Sequence, residues 1–192
     1  LYSSAASDVY KRQSLDNQPN TTGMTQATIQ NYNAKRQKAE QAIQKANKVI
    51  ENAQPSVQQV SAEKSKVEQA LNELNNAKSA LRADKEELQH AYDQLIQPTD
   101  LNNKKPATIN AYNQRYQQFS NELNNTKTNA DRILKEQNPS VANINNALNK
   151  VREVQQKLNE ARALLENKEN NDELVRAKNQ LQPVSYTHLR AH

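Results

Sequence analysis

Few residues in this sequence carry the side chains that enzymes use most. The histidines are His90, His188 and His192, and cysteine is absent. A catalytic site needs a nucleophile or a base that a partner group holds in a pocket, and no such set recurs along the chain. His90 lies beside Ala91 in a predicted helix, where we expect it to face solvent. We therefore assign no catalytic or cofactor-binding residue and predict a protein that is not an enzyme and uses no cofactor.

The carboxylates do not form a metal-binding pattern. Neither an HExxH motif nor an Asp-rich calcium loop occurs, so no metal ligand is assigned. Glu86, Glu87, Glu166 and Glu169 mix with lysines at helical spacing, which is typical of surface ion pairs. A single glycine also argues against a phosphate-binding loop. A small-molecule substrate is not expected.

Two pairs of residues remain as candidates for binding a partner. Tyr32 and Tyr112 occupy equivalent positions, which fits core residues with hydroxyl groups at the bundle edge, or a repeated aromatic contact for a protein or glycan. Lys104 and Lys105 precede Pro106, which fits a solvated hinge or a contact to an acidic glycan. The ligand-binding residues therefore stay unassigned.

Composition limits the elements that could hold these residues. Only 34% of the chain is apolar, too little for one large globular core. Thin helical bundles with narrow apolar stripes are compatible with that fraction. The 26 basic and 21 acidic residues are interspersed, which is typical of a solvated surface and not of a nucleic-acid-binding face.

The two ends of the chain differ from its interior. Residues 1–13 and 183–192 lack helical patterning and resemble translated adaptor or vector sequence, the alternative being a native disordered tail. Neither segment reads as a signal peptide or an anchor, so we expect export signals, if any, to lie outside this stretch.

The interior repeats itself. A Gln-Pro pair recurs at residues 18–19, 97–98 and 182–183, and residues 28–33 match residues 108–113. Pro-Ser-Val occurs at 55–57 and again at 139–141. These matches in order predict repeat unit one at 14–98 and repeat unit two at 99–182.

Each unit is predicted to contain three helices, because apolar residues recur at spacings of three, four and seven. In unit one the first and second helices carry Ile29, Tyr32, Ala39, Ile43, Ala46 and Ile50, then Val57, Val60, Val67, Leu71, Leu74 and Leu81. Prolines 55 and 139 separate these helices. We predict N-caps at Ser56, at Asn138, at Asp84 with Glu87, and at Asn171. Pro98 and Pro106 argue against one continuous helix between the units.

The predicted fold class is therefore all-α, with two tandem three-helix bundles joined by a short linker into an elongated molecule. The segments NPSVANINNALNKVREVQQKLNEARALL at 138–165 and QPSVQQVSAEKSKVEQALNELNNAKSAL at 54–81 resemble FIVAR modules. The resemblance extends over residues 14–182 to the repeat region of giant staphylococcal extracellular-matrix-binding surface proteins.

The resemblance implies an exported adhesin or stalk on the bacterial cell wall. It implies a matrix partner such as fibronectin, with polysaccharide as a further possibility, and a part in biofilm growth and virulence. One alternative is a purely mechanical spacer or envelope-integrity rod without a specific ligand. Another is an intracellular helical scaffold, which would be expected to have longer repeats and core tryptophans.

Overall fold

The computed structural model describes residues 12–52, 54–169, 177 and 178. Five named helices follow one another in this part of the chain, and no β-strand lies between them. They are α1 (Gln26–Glu51), α2 (Val57–Ser79), α3 (Glu86–Leu95), α4 (Pro106–Lys135) and α5 (Val141–Arg162). The predicted all-α class is confirmed. A short helical segment at 12–16 precedes α1.

The start of α2 follows directly from its sequence. The Ser56 hydroxyl accepts the backbone N–H of Gln59 at 3.0 Å, and the Gln59 side chain accepts the N–H of Ser56 at 3.0 Å. This capping box satisfies two backbone donors that the first turn of a helix leaves without partners. The prediction of a cap at Ser56 is confirmed.

The predicted cap of α5 at Asn138 is wrong. Helix α5 begins at Val141, and the Ser140 hydroxyl accepts the backbone N–H of Asn143 at 3.0 Å. Proline at the first helical position had suggested Asn138 as the cap. Instead Pro139 is buried and precedes the capping serine, as Pro55 precedes Ser56 in the first copy.

Helix α3 is a separate short element. The Asp84 carboxylate accepts the backbone N–H of Glu86 at 2.9 Å, which confirms Asp84 as a capping residue. Ten residues, 96–105, separate the end of α3 from the start of α4. The predicted break between the units is therefore confirmed, because Pro98 and Pro106 prevent a continuous helix.

Residue contacts divide the chain into two compact units that do not follow the order of the sequence. The first comprises residues 1–90 and 130–148, and the second comprises residues 91–129 and 149–192. Each unit therefore contains the end of one predicted repeat and part of the other. The predicted unit limits at 14–98 and 99–182 stay a prediction.

The core of the first compact unit lies between α1 and α2, which pack against each other. Residues 12–16 contribute Leu15 to the edge of this core. The buried cluster consists of Tyr32, Ala39, Leu74, Ala77 and Leu81, with Leu15, Met24, Ile29, Ala70 and Leu71 packed against it. Small alanines among the leucines keep the two helices close together.

Buried apolar side chains of the second compact unit come from the last residue of α3, the first part of α4 and the later part of α5. They are Leu95, Tyr112, Phe119, Leu123, Val151, Val154, Leu158 and Ala161. Tyr116 extends this core through ring contacts, with centroids 5.9 Å from Tyr112 and 5.6 Å from Phe119.

Two residues predicted on the buried faces are exposed. Ile50 at the end of α1 is 40% exposed, and Val57 at the start of α2 is 86% exposed. Both follow the helical period. The period shows which face of the helix a side chain lies on, but not how far along that face the packing partner extends. The predicted third helix of unit two, from Asn171 onward, lies almost entirely outside the described residues.

Candidate functional site

The most regular feature of the molecule is a backbone contact between two loops, which occurs once in each repeat. In repeat one, Thr25 donates its N–H to the Arg82 carbonyl and Asp84 donates to the Gly23 carbonyl, both at 2.8 Å. Met24 and Ala83 lie between them as an isolated antiparallel bridge. We name this pair of loops, residues 20–25 and 80–84, clasp one.

Repeat two contains the same arrangement, named clasp two, in residues 100–105 and 164–168. Lys105 donates its N–H to the Glu166 carbonyl at 2.8 Å, and Lys168 donates to the Asn103 carbonyl at 2.9 Å. Lys104 and Asn167 form the bridge. The two clasps thus have the same backbone hydrogen bonds, although the residues that make them differ between the repeats.

A threonine in the first turn of α1 and of α4 joins each clasp to its helix. The Thr28 hydroxyl donates to the Thr25 carbonyl at 3.0 Å and accepts the Arg82 N–H at 3.4 Å. The Thr108 hydroxyl donates to the Lys105 carbonyl at 2.7 Å and accepts the Glu166 N–H at 3.3 Å. Thr28 and Thr108 are equivalent in the repeat match, which was the sequence signal for this role.

A left-handed residue shapes the first loop of each clasp. Gly23 has φ of 80°, and Asn103, eighty positions later, has φ of 57°. Glycine adopts this conformation without steric cost, and asparagine tolerates it better than most residues. At Gly23 the space is also limited, since a Cβ atom there would lie 2.7 Å from Cγ1 of Val141.

The two tyrosines considered as partner contacts are both buried, at 3% exposure for Tyr32 and 6% for Tyr112. The core interpretation is therefore confirmed. The predicted position of the hydroxyl at the bundle edge is wrong for Tyr32, whose buried oxygen has no hydrogen-bond partner. The Tyr112 hydroxyl lies 2.7 Å from the Thr99 hydroxyl.

Arg162 completes a polar network that sequence reasoning missed. Arg162 is the last residue of α5. Its Nε donates to the Thr99 hydroxyl and its Nη2 donates to the Gln97 carbonyl, both at 2.9 Å. Through Thr99 the network reaches Tyr112, so that the segment after α3 is fixed to α4 and α5 within the second compact unit. Nothing in the sequence period distinguishes such an arginine from a solvated one.

An open surface cleft of about 230 Å³ lies beside this network, lined by Pro98, Thr99, Asp100, Lys104, Arg162 and Leu165. Arg162 is already held by protein acceptors, and Lys104 donates to the Asn167 side chain at 2.6 Å. Lys105 forms an ion pair of 3.1 Å with Glu166. The predicted basic pair is therefore engaged within clasp two.

Further along α4 and α5, one carboxylate joins two lysines. The Glu122 carboxylate accepts from Lys150 and Lys157, each at 2.7 Å. These hydrogen bonds, Lys150 first and then Lys157, lower the pKa of Glu122 below its ordinary value. The hydrogen bond to Glu122 raises the pKa of Lys150. The carboxylate joins the two helices and offers no open base.

His90 is exposed near the middle of α3, as expected. Within the described ranges no group of three histidine, cysteine or carboxylate side chains is placed to hold a metal ion. No helix in that same part of the chain is both long and apolar enough to cross a membrane.

The paired helices, each closed by the same loop contact and repeated in series, define a tandem α-helical repeat protein. A family model for the FIVAR domain matches residues 12–82 and 91–159. These matches cover more than half of the sequence, so the chain belongs to the FIVAR domain family, and the resemblance inferred from its residues is confirmed.

The relatives found by sequence are matrix-binding proteins. Extracellular matrix-binding protein EbhB of Staphylococcus aureus strain N315 is 38% identical over 148 residues, which cover 77% of this chain and 4% of that protein. The Ebh protein of strain USA300 is also 38% identical over 148 residues and is covered to 1%. The chain thus spans a small part of the length of these relatives.

One solved structure is also similar. It comes from a characterisation of extracellular matrix binding protein (Embp)-mediated adherence of Staphylococcus epidermidis to fibronectin. The sequence identity is 37% and the TM-score is 0.49, and the match covers 53% of this chain and 65% of the other.

Proposed function

We propose that this chain is a repeat module of a bacterial cell-surface adhesin that binds extracellular matrix through many weak contacts along a series of repeats. The observation that carries the proposal is the clasp, which two loops build twice with the same backbone hydrogen bonds. The names of the Ebh relatives supply the matrix partner, and fibronectin, named with the Embp structure, is the first candidate.

The physical basis of this function is multivalency. Repeats in series present equivalent weak sites at a high effective concentration, so that binding strengthens with repeat number without a new kind of contact. A chain with two repeats would then bind feebly, while a longer chain binds much more tightly.

Binding to immobilised fibronectin at matched repeat concentration tests the proposal. We expect the apparent affinity of a chain with eight or more repeats to exceed that of this chain by about 10²-fold or more. The matched control is a chain of equal length whose added repeats carry a charge reversal on one exposed face at a time, which would locate the binding face. Absence of binding at every length would contradict the matrix-binding function.

A mechanical spacer is the second candidate, and a specific observation favours it. The residues considered as alternative partner contacts are used internally, since Tyr32 and Tyr112 are buried and Lys104 and Lys105 bond within clasp two. A spacer would bind neither fibronectin nor a cell-wall polysaccharide surface at any length. It would still require the clasps, because they fix each pair of helices.

A further inference from the structure

Each clasp joins the point at which the chain enters a helical hairpin to the point at which it leaves. The chain reaches α1 through residues 20–25 and leaves α2 through residues 80–84, and clasp one holds these two loops together. Clasp two does the same for α4 and α5, with residues 100–105 and 164–168. Tension along the chain therefore passes from one loop to the other across the closed clasp, and the hairpin behind the clasp is not loaded.

A cation at the end of the second helix adds a further bond at the same end of each hairpin. The Lys78 ammonium group donates to the Ser14 carbonyl at 2.6 Å, and the Arg162 guanidinium donates to the Gln97 carbonyl at 2.9 Å. Lys78 and Arg162 lie eighty-four positions apart, which is also the offset between the two Pro-Ser-Val segments. Each cation fastens the segment before a clasp to the helix that ends at that clasp.

The direction of the two loops determines how a clasp responds to a pull. In clasp one, Thr25 pairs with Arg82 and Gly23 pairs with Asp84, so that the loops run antiparallel. The chain continues outward from Gly23 and from Asp84, and a pull on its two ends loads that pair before the other. Hydrogen bonds that are loaded one after another resist less than bonds that are loaded together. We therefore expect a clasp to open at modest tension.

The closed clasp keeps a long stretch of chain out of the loaded path. Residues 26–81 lie between the two loops of clasp one, and residues 106–165 lie between those of clasp two. Fully extended, the first stretch would span about 185–200 Å and the second about 200–215 Å. Opening of one clasp thus makes a large length of chain available.

We propose that each clasp is a mechanical latch, which carries the tension while it is closed and releases the length of its hairpin when it opens. The latch closes again when tension falls, because only non-covalent contacts break. In a series of repeats the latches open one at a time, so that the chain lengthens while its tension stays near the opening force. This proposal rests on the proposed function only for the source of the tension, which a spacer would also carry.

A latch at the clasp predicts that the clasp and the hairpin core affect different rates. The Thr28 hydroxyl bonds to the Thr25 carbonyl and the Arg82 N–H, and both bonds are lost when clasp one opens. Ile43 is 8% exposed and lies about 22 Å further along α1, so its packing is retained at that stage. Loss of a contact that is broken in the transition state speeds opening, whereas loss of a contact retained there slows closing.

Magnetic tweezers that hold the full chain by its two ends at constant force test the proposal. We expect two reversible steps with contour lengths of about 185–200 Å and about 200–215 Å. Thr28→Val should speed the opening of one step about three- to tenfold and leave its closing unchanged. Ile43→Val has a similar equilibrium cost, but it should slow closing by that factor and leave opening within about twofold.

Two further variants serve as the control and the assignment. Thr28→Ser retains the hydroxyl and should open at the rate of the parent chain. Met24→Cys combined with Ala83→Cys places two thiols at the bridge of clasp one, in a sequence without other cysteines. The Cα atoms of such an antiparallel pair lie about 4.5 Å apart, which is within disulfide range. Oxidation should abolish the step of clasp one alone, and reduction should restore it.

Three results would overturn the proposal. One is an Ile43→Val variant that opens as much faster as Thr28→Val, which would mean that the core is loaded from the start. The second is a single step in which both hairpins extend together. The third is an oxidised cysteine pair that leaves both steps in place. None of these measurements contains fibronectin, so failure of the latch is distinguishable from failure of matrix binding.

Discussion

The hairpin of α1 and α2 and the hairpin of α4 and α5 have the same order of helices and the same clasp, but different side chains occupy equivalent positions. Ala39 of the first corresponds to Phe119 of the second, and both are buried. Lys64 is exposed, while its equivalent Leu148 is buried. Buried apolar area is the main source of stability, so we expect the second hairpin to be the more stable of the two.

The difference is sharpest at one position of the core. Glu63 is buried, its Oε2 has no hydrogen-bond partner, and its oxygen Oε1 lies 3.6 Å from the ammonium group of Lys66. The equivalent residue in the second hairpin is Ala147, which is 2% exposed. The clasps are thus the same in both repeats, while the interior of each repeat varies.

Truncation of an equivalent buried leucine in each hairpin should have the largest effect. Leu74 is 0% exposed and Leu158 is 3% exposed. Leu74→Ala and Leu158→Ala therefore each leave a cavity at a buried position. Each should cost about 2–5 kcal/mol of unfolding free energy. Hydrogen exchange measured by mass spectrometry should show the loss of protection in the compact unit that contains the substitution. Equal loss in both units would show that the two interiors unfold as one.

Exchange of the residues at the Glu63 position tests whether core composition explains the difference. Glu63→Ala removes a buried carboxylate oxygen without a partner and should stabilise the chain by about 1 kcal/mol. The reverse change, Ala147→Glu, should destabilise it by about 2–3 kcal/mol. Urea unfolding gives both values.

The control for the Glu63 exchange is Lys66→Met, which removes only the ion pair and should change stability by less than about 1 kcal/mol. If Glu63→Ala destabilised the chain as much as Lys66→Met, the ion pair would matter more than the burial.

The tyrosine pair gives a smaller and more selective effect. Tyr112→Phe removes the hydroxyl that lies 2.7 Å from Thr99 and should cost about 0.5–1.5 kcal/mol. Tyr32→Phe removes a buried hydroxyl without a partner and should be neutral or slightly stabilising. Thermal melting of both variants under one set of conditions checks the contrast. A larger loss for Tyr32→Phe would mean that its hydroxyl has a partner in solution.

The smallest expected effect is a change in how the thermal stability of the chain falls at acidic pH. The lysines lower the pKa of Glu122 in the folded state. Its contribution is therefore present above the unfolded pKa of about 4.3 and is lost as pH falls through the folded value. The Tm difference between the parent chain and Glu122→Gln should thus be positive at pH 7 and shrink below about pH 4.

The matched control is Glu160→Gln on the exposed side of α5, for which a smaller difference at pH 7 is expected. A Tm difference for Glu122→Gln that stayed constant down to pH 2 would show that the lysine contacts do not depend on the carboxylate charge.

The helices and the repeat could be predicted from the sequence because their signals are local. The spacing of leucines and valines gives each helix its apolar face, Ser56 with Gln59 gives a cap, and prolines mark the breaks. Local signals also explain the errors. Val57 and Ile50 follow the period but stay exposed at the ends of their helices, and Asn138 resembles a cap although Ser140 performs that role.

The amino-acid sequence by itself thus determined the family, the two repeats and the order of the helices. The tertiary structure alone decided the clasps, the role of Arg162, the burial of Glu63 and the close approach of Val141 to Gly23. The clasps and the Arg162 contacts join segments about sixty residues apart, and the clasps do so through backbone N–H and carbonyl groups, which every residue except proline has in full. A contact made by common groups leaves little trace in side-chain pattern and becomes visible only when the chain brings the segments together.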